Sequence, residues 1–382
     1  MMRTPHNAEY TKAYNRNSFL KLLRQQPMSR AEISHELGLT RAAASLIADE
    51  LIRDGYIIEK EAVNALRGRP PKPLTLSPDA VYAIGIYLNR DGYQVGIVNF
   101  IDAAISNISL RFDSAIQSDK TALLAETIRQ LINDTGVPLE KIVGIGISCP
   151  GPVDDINGRI LNAPRFSHWA NSDLGHKLHE ETGLPTYLEK DAACLAYYNI
   201  GKGLAKDSSS FLLYLLDGGV GSSIVSNGRL LQSKNGFTSE LGHCSIDYKG
   251  RVCDCGNIGC LEAYASISRL LHGSCYKSWK ELIDASDKEK EADDLLTQEA
   301  EYLANGAITA ANIADIDAVL LTGDITYGCE KLAEKMEKAI NCRWIRRSDA
   351  IIRVGKAAVN PHHEIIAAAD IAFEHYLSAY PN

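Results

Sequence analysis

Over the first 55 residues, apolar positions recur at helical spacing in three short runs. Phe19, Leu22 and Leu23 give the first run an apolar face, and Pro27 stops it. Ser29-Arg30-Ala31-Glu32 then reads as a capping box, in which a Ser oxygen and a Glu carboxylate satisfy free N–H groups at a helix start. That helix runs to Leu37, and Gly38 supplies a turn. Thr40 caps a third helix whose Ala44, Ile47 and Leu51 face inward, and Gly55 ends it. The helix–Gly turn–helix spacing predicts a helix-turn-helix unit. Two short strand patterns at 56–60 and 74–76 follow, which together read as a β-wing.

From about Val81 the periodicity alternates between strand and helix. Hairpin strands are predicted at 82–87 and 94–99, a helix at 120–134 and a strand at 141–148. The pattern restarts with a strand at 211–216, a Gly-rich turn, Ile224-Val225 and a hairpin strand near 229–231. A later strand at 318–322 precedes a helix at 330–341. This order predicts a winged helix-turn-helix over residues 1–76, followed by an α/β domain of two lobes over 77–382 with a ligand cleft between them.

Charge adds a direction to this plan. The net charge of −8 hides an asymmetry: residues 1–75 carry 12 Lys and Arg against 8 Asp and Glu, which leaves −12 for the remainder. A basic head on an acidic body suits contact with double-stranded DNA at one end. The third helix would enter the major groove N-terminus first, presenting Arg41, Ala42 and Ser45 to base edges or phosphate. Arg67 and Arg69 flank a Gly ahead of two prolines, an extended segment suited to a narrow minor groove or to a stiff linker. The alternative for the head is a small helical bundle that contacts protein. The longest apolar stretches are strand length, far short of the ~20 residues that span a bilayer. With no apolar signal core near its start, the chain is expected to stay in the cytoplasm.

Nine cysteines are an odd number, and four of them cluster at Cys244, Cys253, Cys255 and Cys260. Outside a secretory context such clustering favours a metal over disulfides. His243, Cys253, Cys255 and Cys260 match a closed tetrahedral zinc site, and two glycines allow the tight turn between the last two thiols. Four protein ligands leave no open position, so the metal is expected to be structural. Cys244 is a competitor for His243, and a metal-free thiol cluster is the plain alternative.

Taken together, Glu240-Leu-Gly-His243, Cys253-Asp-Cys-Gly-Asn-Ile-Gly-Cys-Leu-Glu262, the segment 145–153 and the N-terminal helix-turn-helix resemble the ROK family of repressors and sugar kinases, in its repressor branch. The resemblance covers nearly the whole chain. It implies an actin-like, duplicated ribonuclease-H-type fold, assembled into homodimers or tetramers. It also implies that Glu240, His243 and Glu262 hold sugar hydroxyls, with His243 serving metal and sugar together. Asp191 aligns with the general base of the family's kinases, and Lys190 with the Asn that precedes it.

Several departures bear on function. The kinases' Asp-x-Gly-x-Thr is replaced here by Gly85-Ile86-Tyr87-Leu88-Asn89-Arg90, which puts bulk where phosphate would lie. The expected reading is a non-enzymatic, sugar-responsive repressor of carbohydrate genes whose effector relieves operator binding. The alternatives are a sugar kinase with a DNA-binding head, an activator, or a DNA-binding protein with a vestigial pocket. Lys190 and Arg165 stand where the family commonly has Asn and offer only donors and positive charge. That predicts an anionic effector such as a sugar phosphate or sugar acid, unless these cations pair with Asp191, Glu189 or Glu240 and close the pocket.

Overall fold

The computed structural model describes residues 8–60, 72–89, 91–112, 120–161, 166, 169, 171–231, 238–343 and 350–379. The chain divides into two compact units. The first comprises Met1–Ser148, Asp173–Leu188 and Glu364–Asn382, and the second Cys149–Ser172 and Glu189–His363.

Helix α1 spans Ala8–Gln25, several turns more than its apolar face alone indicates, and stops before Pro27. Helix α2, Arg30–Glu36, starts at the expected capping box: the Ser29 N–H donates to the Glu32 carboxylate at 2.7 Å, and the Glu32 N–H donates to Ser29 Oγ at 3.3 Å. Gly38 makes the turn in the left-handed region, at φ +64°. Helix α3, Arg41–Arg53, is capped by Thr40. Ala44, Ala48 and Leu51 are buried, whereas Ile47 is only half-buried. Strands β1, Ile57–Glu59, and β2, Leu74–Leu76, pair antiparallel as the base of the wing. Arg67 and Arg69, between them, lie outside the described residues.

Next come β3 (Tyr82–Asn89), β4 (Gly92–Asn99), β5 (Ala104–Arg111), α4 (Lys120–Thr135) and β6 (Ile142–Cys149). A short antiparallel pair, β7 (Val153–Asp154) with β8 (Arg159–Ile160), belongs to the second unit. The chain returns through α5 (Leu174–Thr182) to β9 (Thr186–Lys190), which completes a sheet of order β5-β4-β3-β6-β9. In it β5, β4 and β3 run antiparallel, and β6 lies parallel to β3.

The second unit repeats this plan. Helix α6 (Asp191–Asn199) precedes β10 (Phe211–Leu216), β11 (Gly221–Ser226) and β12 (Arg229–Leu230). Short helices α7 (Glu262–Ala265), α8 (Ile267–Leu270) and α9 (Trp279–Ala285) lead to the long α10 (Lys290–Ala314). Then follow β13 (Ala318–Gly323), α11 (Cys329–Asn341) and β14 (Arg353–Lys356), after which α12 (His363–Ser378) returns the chain to the first unit. The sheet order is β12-β11-β10-β13-β14, with β10 antiparallel to β11 and parallel to β13. An antiparallel trio beside parallel strands, occurring twice, is the expected duplicated ribonuclease-H-like fold. Leu296, Leu303 and Ala307 of α10 pack with Leu332 and Met336 of α11 in a core shared with Leu212, Val319 and Leu321.

A row of glycines seats α12 on the first sheet. Gly96, Gly85 and Gly146 are aligned across β4, β3 and β6. A Cβ on Gly85 would stand 1.9 Å from the Ile365 carbonyl oxygen, and one on Gly146 1.9 Å from that of Ala368. Only glycine lets the helix backbone come this close, and the alanines of α12 keep its own contact face thin. The same helix receives α1: Lys21 pairs with Glu374 at 2.5 Å, and Arg24 bridges Asp370 and Asp102. The Arg24 guanidinium also lies 4.4 Å from the Phe373 ring centre, and the Tyr56 and Tyr376 hydroxyls are 2.7 Å apart.

Candidate functional site

The metal cluster is built by one irregular loop in the second unit. Glu240 opens a single 3-10 turn over Leu241–His243, and the loop ends where α7 begins at Glu262. Two short antiparallel bridges, Ser245 with Cys260 and Val252 with Ile258, fold it back on itself. Gly256 and Gly259 hold φ of +90° and +76°, and a Cβ on Gly259 would meet the Asp247 carbonyl at 1.8 Å. The two expected glycines are therefore required by backbone angle, and Gly259 by space as well.

The ligand atoms of His243, Cys253, Cys255 and Cys260 all lie within 4.8 Å of one another. Cys255 and Cys260 Sγ are 3.7 Å apart, and Cys253 Sγ is 3.8 Å from His243 Nδ1. A tetrahedron with bonds of about 2.3 Å has edges of about 3.8 Å, so the donor set fits Zn2+. Burial, with hydrogen bonds from neighbouring thiols, pushes the Cys260 thiol up to about 12, so a thiolate there calls for a cation. Cys244, the competitor for His243, is exposed, and its sulfur lies near the Glu240 carbonyl, apart from this cluster. With Nδ1 turned to the thiols, His243 keeps Nε2 on the opposite edge of its ring.

The remaining expected ligand residues gather beside this turn. Gly242 lies so close to the Gly-rich bend after β10 that a Cβ there would be 2.1 Å from the Val220 carbonyl. Glu262 accepts a hydrogen bond from the Val220 N–H at 2.9 Å. Asp191, at the start of α6, is half-buried and accepts from the Ala192 N–H at 2.7 Å. Loss of solvent raises its pKa to about 7, with Asp217 and Glu240 adding to the rise and the Ala192 N–H and Lys190 opposing it. Lys190 is buried; its Nζ donates to Glu240 Oε1 at 2.8 Å and to the Thr238 carbonyl at 2.9 Å. The pairing with Glu240 weighed from sequence is thus present. Arg165 lies outside the described residues.

The helix-turn-helix offers a separate surface. Arg41 and Ala42 are exposed at the first turn of α3, and Ser45 is half-buried with its carbonyl 3.4 Å from Arg30 Nη1. Arg30 is held by Asp49 and Glu59, so among the described residues Arg41 is the cation displayed at this end of α3. Leu46, 64% exposed, shares the surface. Sequence reasoning missed it, although an apolar residue outside the inward set is a signal for contact with a thymine methyl.

Comparison with known proteins agrees with this architecture. The ROK family profile matches residues 107–374, and the chain belongs to the ROK family. The xylose repressor of Caldicellulosiruptor bescii is 29% identical over 362 residues, covering 88% of this chain and 90% of that protein. The N-acetylglucosamine repressor of Escherichia coli is 25% identical over 356 residues, covering 89% and 87%. A solved ROK family transcriptional regulator, a homologue of the Escherichia coli MLC protein, superposes with a TM-score of 0.80 at 24% identity, covering 96% of this chain and 97% of that one. It carries the fold alone. None of the helices described is long and apolar enough to cross a membrane.

Proposed function

We propose that the chain is a sugar-responsive transcriptional repressor. Residues 1–76 bind operator DNA, and residues 77–382 hold a structural zinc and a sugar effector. The observation that carries this reading is the continuity of one loop. The Glu240–His243 turn that offers a carboxylate and an imidazole to a polyol is the same turn that supplies a ligand to the four-donor cluster. Repressor relatives named for xylose and for N-acetylglucosamine support a sugar as effector and DNA as partner. Zinc bound by His243, Cys253, Cys255 and Cys260 would fix the imidazole plane, so that Nε2 meets a hydroxyl at a set angle. Glu262 and Asp191 add acceptors beside it, and Arg41, Ala42 and Ser45 face the DNA.

The charge of the effector follows from Lys190. An ammonium already neutralised by Glu240 attracts a sugar phosphate weakly, so a neutral sugar is the reading supported here. A sugar acid or phosphate would have to take Lys190 from Glu240. For signalling, the effector must bind the DNA-competent and DNA-incompetent states unequally, and a homodimer or tetramer would read paired half-sites. We take the protein to be non-enzymatic because Tyr87 and Leu88 stand in β3 where the kinases carry their phosphate-binding residues.

The test is to select DNA from a random pool with the full chain, then titrate neutral sugars, sugar phosphates and sugar acids into the complex. Release by a sugar supports the reading. DNA affinity indifferent to the whole panel overturns the sensor role, and sugar-dependent ATP turnover overturns the non-enzymatic one.

A further inference from the structure

Where β9 hands over to α6, Lys190 stands in the N-cap position and turns its side chain into the proposed effector site. The side chain is 9% exposed, against 27% for Glu240. Its ammonium has three N–H donors, and Glu240 Oε1 and the Thr238 carbonyl engage two of them. The stem runs past Gly151, where an added Cβ would stand 2.8 Å from Lys190 Cδ and 3.7 Å from Glu240 Oε1. A side chain at 151 would therefore press on the Lys190 stem and only touch Glu240, and glycine leaves that stem its room. This is a built contact between a fixed carboxylate and a packed amine, unlike a mobile surface pair.

We propose that Lys190 is an internal latch: its ammonium occupies the Glu240 oxygen that a sugar hydroxyl would use, and the effector binds only as Lys190 lets go. The inference rests on the sensor reading above. It adds a regulatory step set by one residue at which this chain departs from the Asn of its family. The apparent affinity for effector is the intrinsic affinity reduced by the unlatched fraction. The latch thus sets a threshold, keeping the site silent at low sugar concentrations. Removing it makes the site respond earlier without adding a contact.

The experiment uses full-length wild type and the variants K190N, K190M and K190R, with calorimetric titration of D-xylose, D-glucose, N-acetylglucosamine, glucose 6-phosphate and glucuronate. Circular dichroism and metal content verify folding, and K190M backs K190N should one of them fail to fold. K190N or K190M is expected to bind a neutral sugar about tenfold more tightly than wild type, as for a latch closed in roughly nine molecules of ten, while K190R is not. Equal or weaker binding by both neutral variants of a sugar that wild type binds overturns the latch and leaves the sensor reading standing. Selective loss of glucose 6-phosphate or glucuronate in those variants makes Lys190 a direct contact to an anion, and this too overturns the latch. Failure of every protein to bind any of the five compounds overturns the sensor reading, and the latch falls with it.

Discussion

The Glu262 carboxylate accepts a hydrogen bond from the Val220 N–H at 2.9 Å, tying the end of the metal loop to the Gly-rich bend after β10. Glu262 therefore has a structural duty besides the sugar contact proposed for it, and two substitutions separate the roles. Gln keeps an acceptor for Val220 but loses the charge; Ala loses both. Glu262→Ala is expected to cost about 1–3 kcal/mol of stability in urea unfolding, because a donor loses its partner. Glu262→Gln should unfold near the wild-type midpoint yet bind effector more weakly. Equal midpoints for wild type and both variants would show that the bond to Val220 carries no stability.

Asp191 makes stability depend on pH. In the folded chain its carboxyl holds its proton up to about pH 7, against 3.8 for the ordinary group. Between those values the unfolded chain binds fewer protons, so this residue's contribution to stability falls as pH rises through the window. Above about pH 7 the penalty is complete, at no more than about 4 kcal/mol. Asn cannot ionise. Asp191→Asn should match wild type near pH 4 and exceed it at pH 8, as read by urea midpoints across that range. A constant difference between the two proteins at every pH counts against the raised pKa.

The metal cluster predicts one zinc per chain by elemental analysis. Cys260→Ser removes a buried ligand, and the residual zinc should fall close to zero after mild chelation. The loop between His243 and Glu262 should then become open to proteases, and effector binding should weaken because His243 loses its fixed orientation. Full zinc retention in this variant would remove Cys260 from the ligand set.

On the DNA side, Arg41→Ala should lower affinity for a selected operator by about tenfold or more, the worth of one good base or phosphate contact. Arg41 is exposed, so the melting temperature should not move. Gel-shift titration at fixed salt measures the first quantity and calorimetry the second. Unchanged DNA affinity places the recognition surface elsewhere on the head.

What could be read from sequence was local. Ser29 with Glu32, Thr40, the two glycines before Cys260 and the strand at Phe211–Leu216 follow from short-range rules of capping, turn angle and periodicity, and the structure carries each of them. Helix α10 was missed because its alanines give a thin apolar stripe, and β5 because its alternating burial carries Ser and Asn among the apolar residues. Long-range pairing was the other gap. Lys190 with Glu240 was one of several pairings left open, since partners 50 residues apart obey no spacing rule. Arg24 with Asp370 had no signal at all. Glu299 is a further example, as nothing in an amphipathic pattern shows that a carboxyl will be buried with neither oxygen hydrogen-bonded.

The docking of α1 on α12 has a consequence for synthesis on the ribosome. Arg24 and Asp370 are separated by 346 positions, so the first helix is made long before its seat exists. At ordinary elongation rates the wait is roughly tens of seconds. During it the head has its own small core but no partner for Lys21 and Arg24 on the C-terminal helix. Arg24 meets Asp102 early, but the seat of α1 is complete only once α12 has emerged.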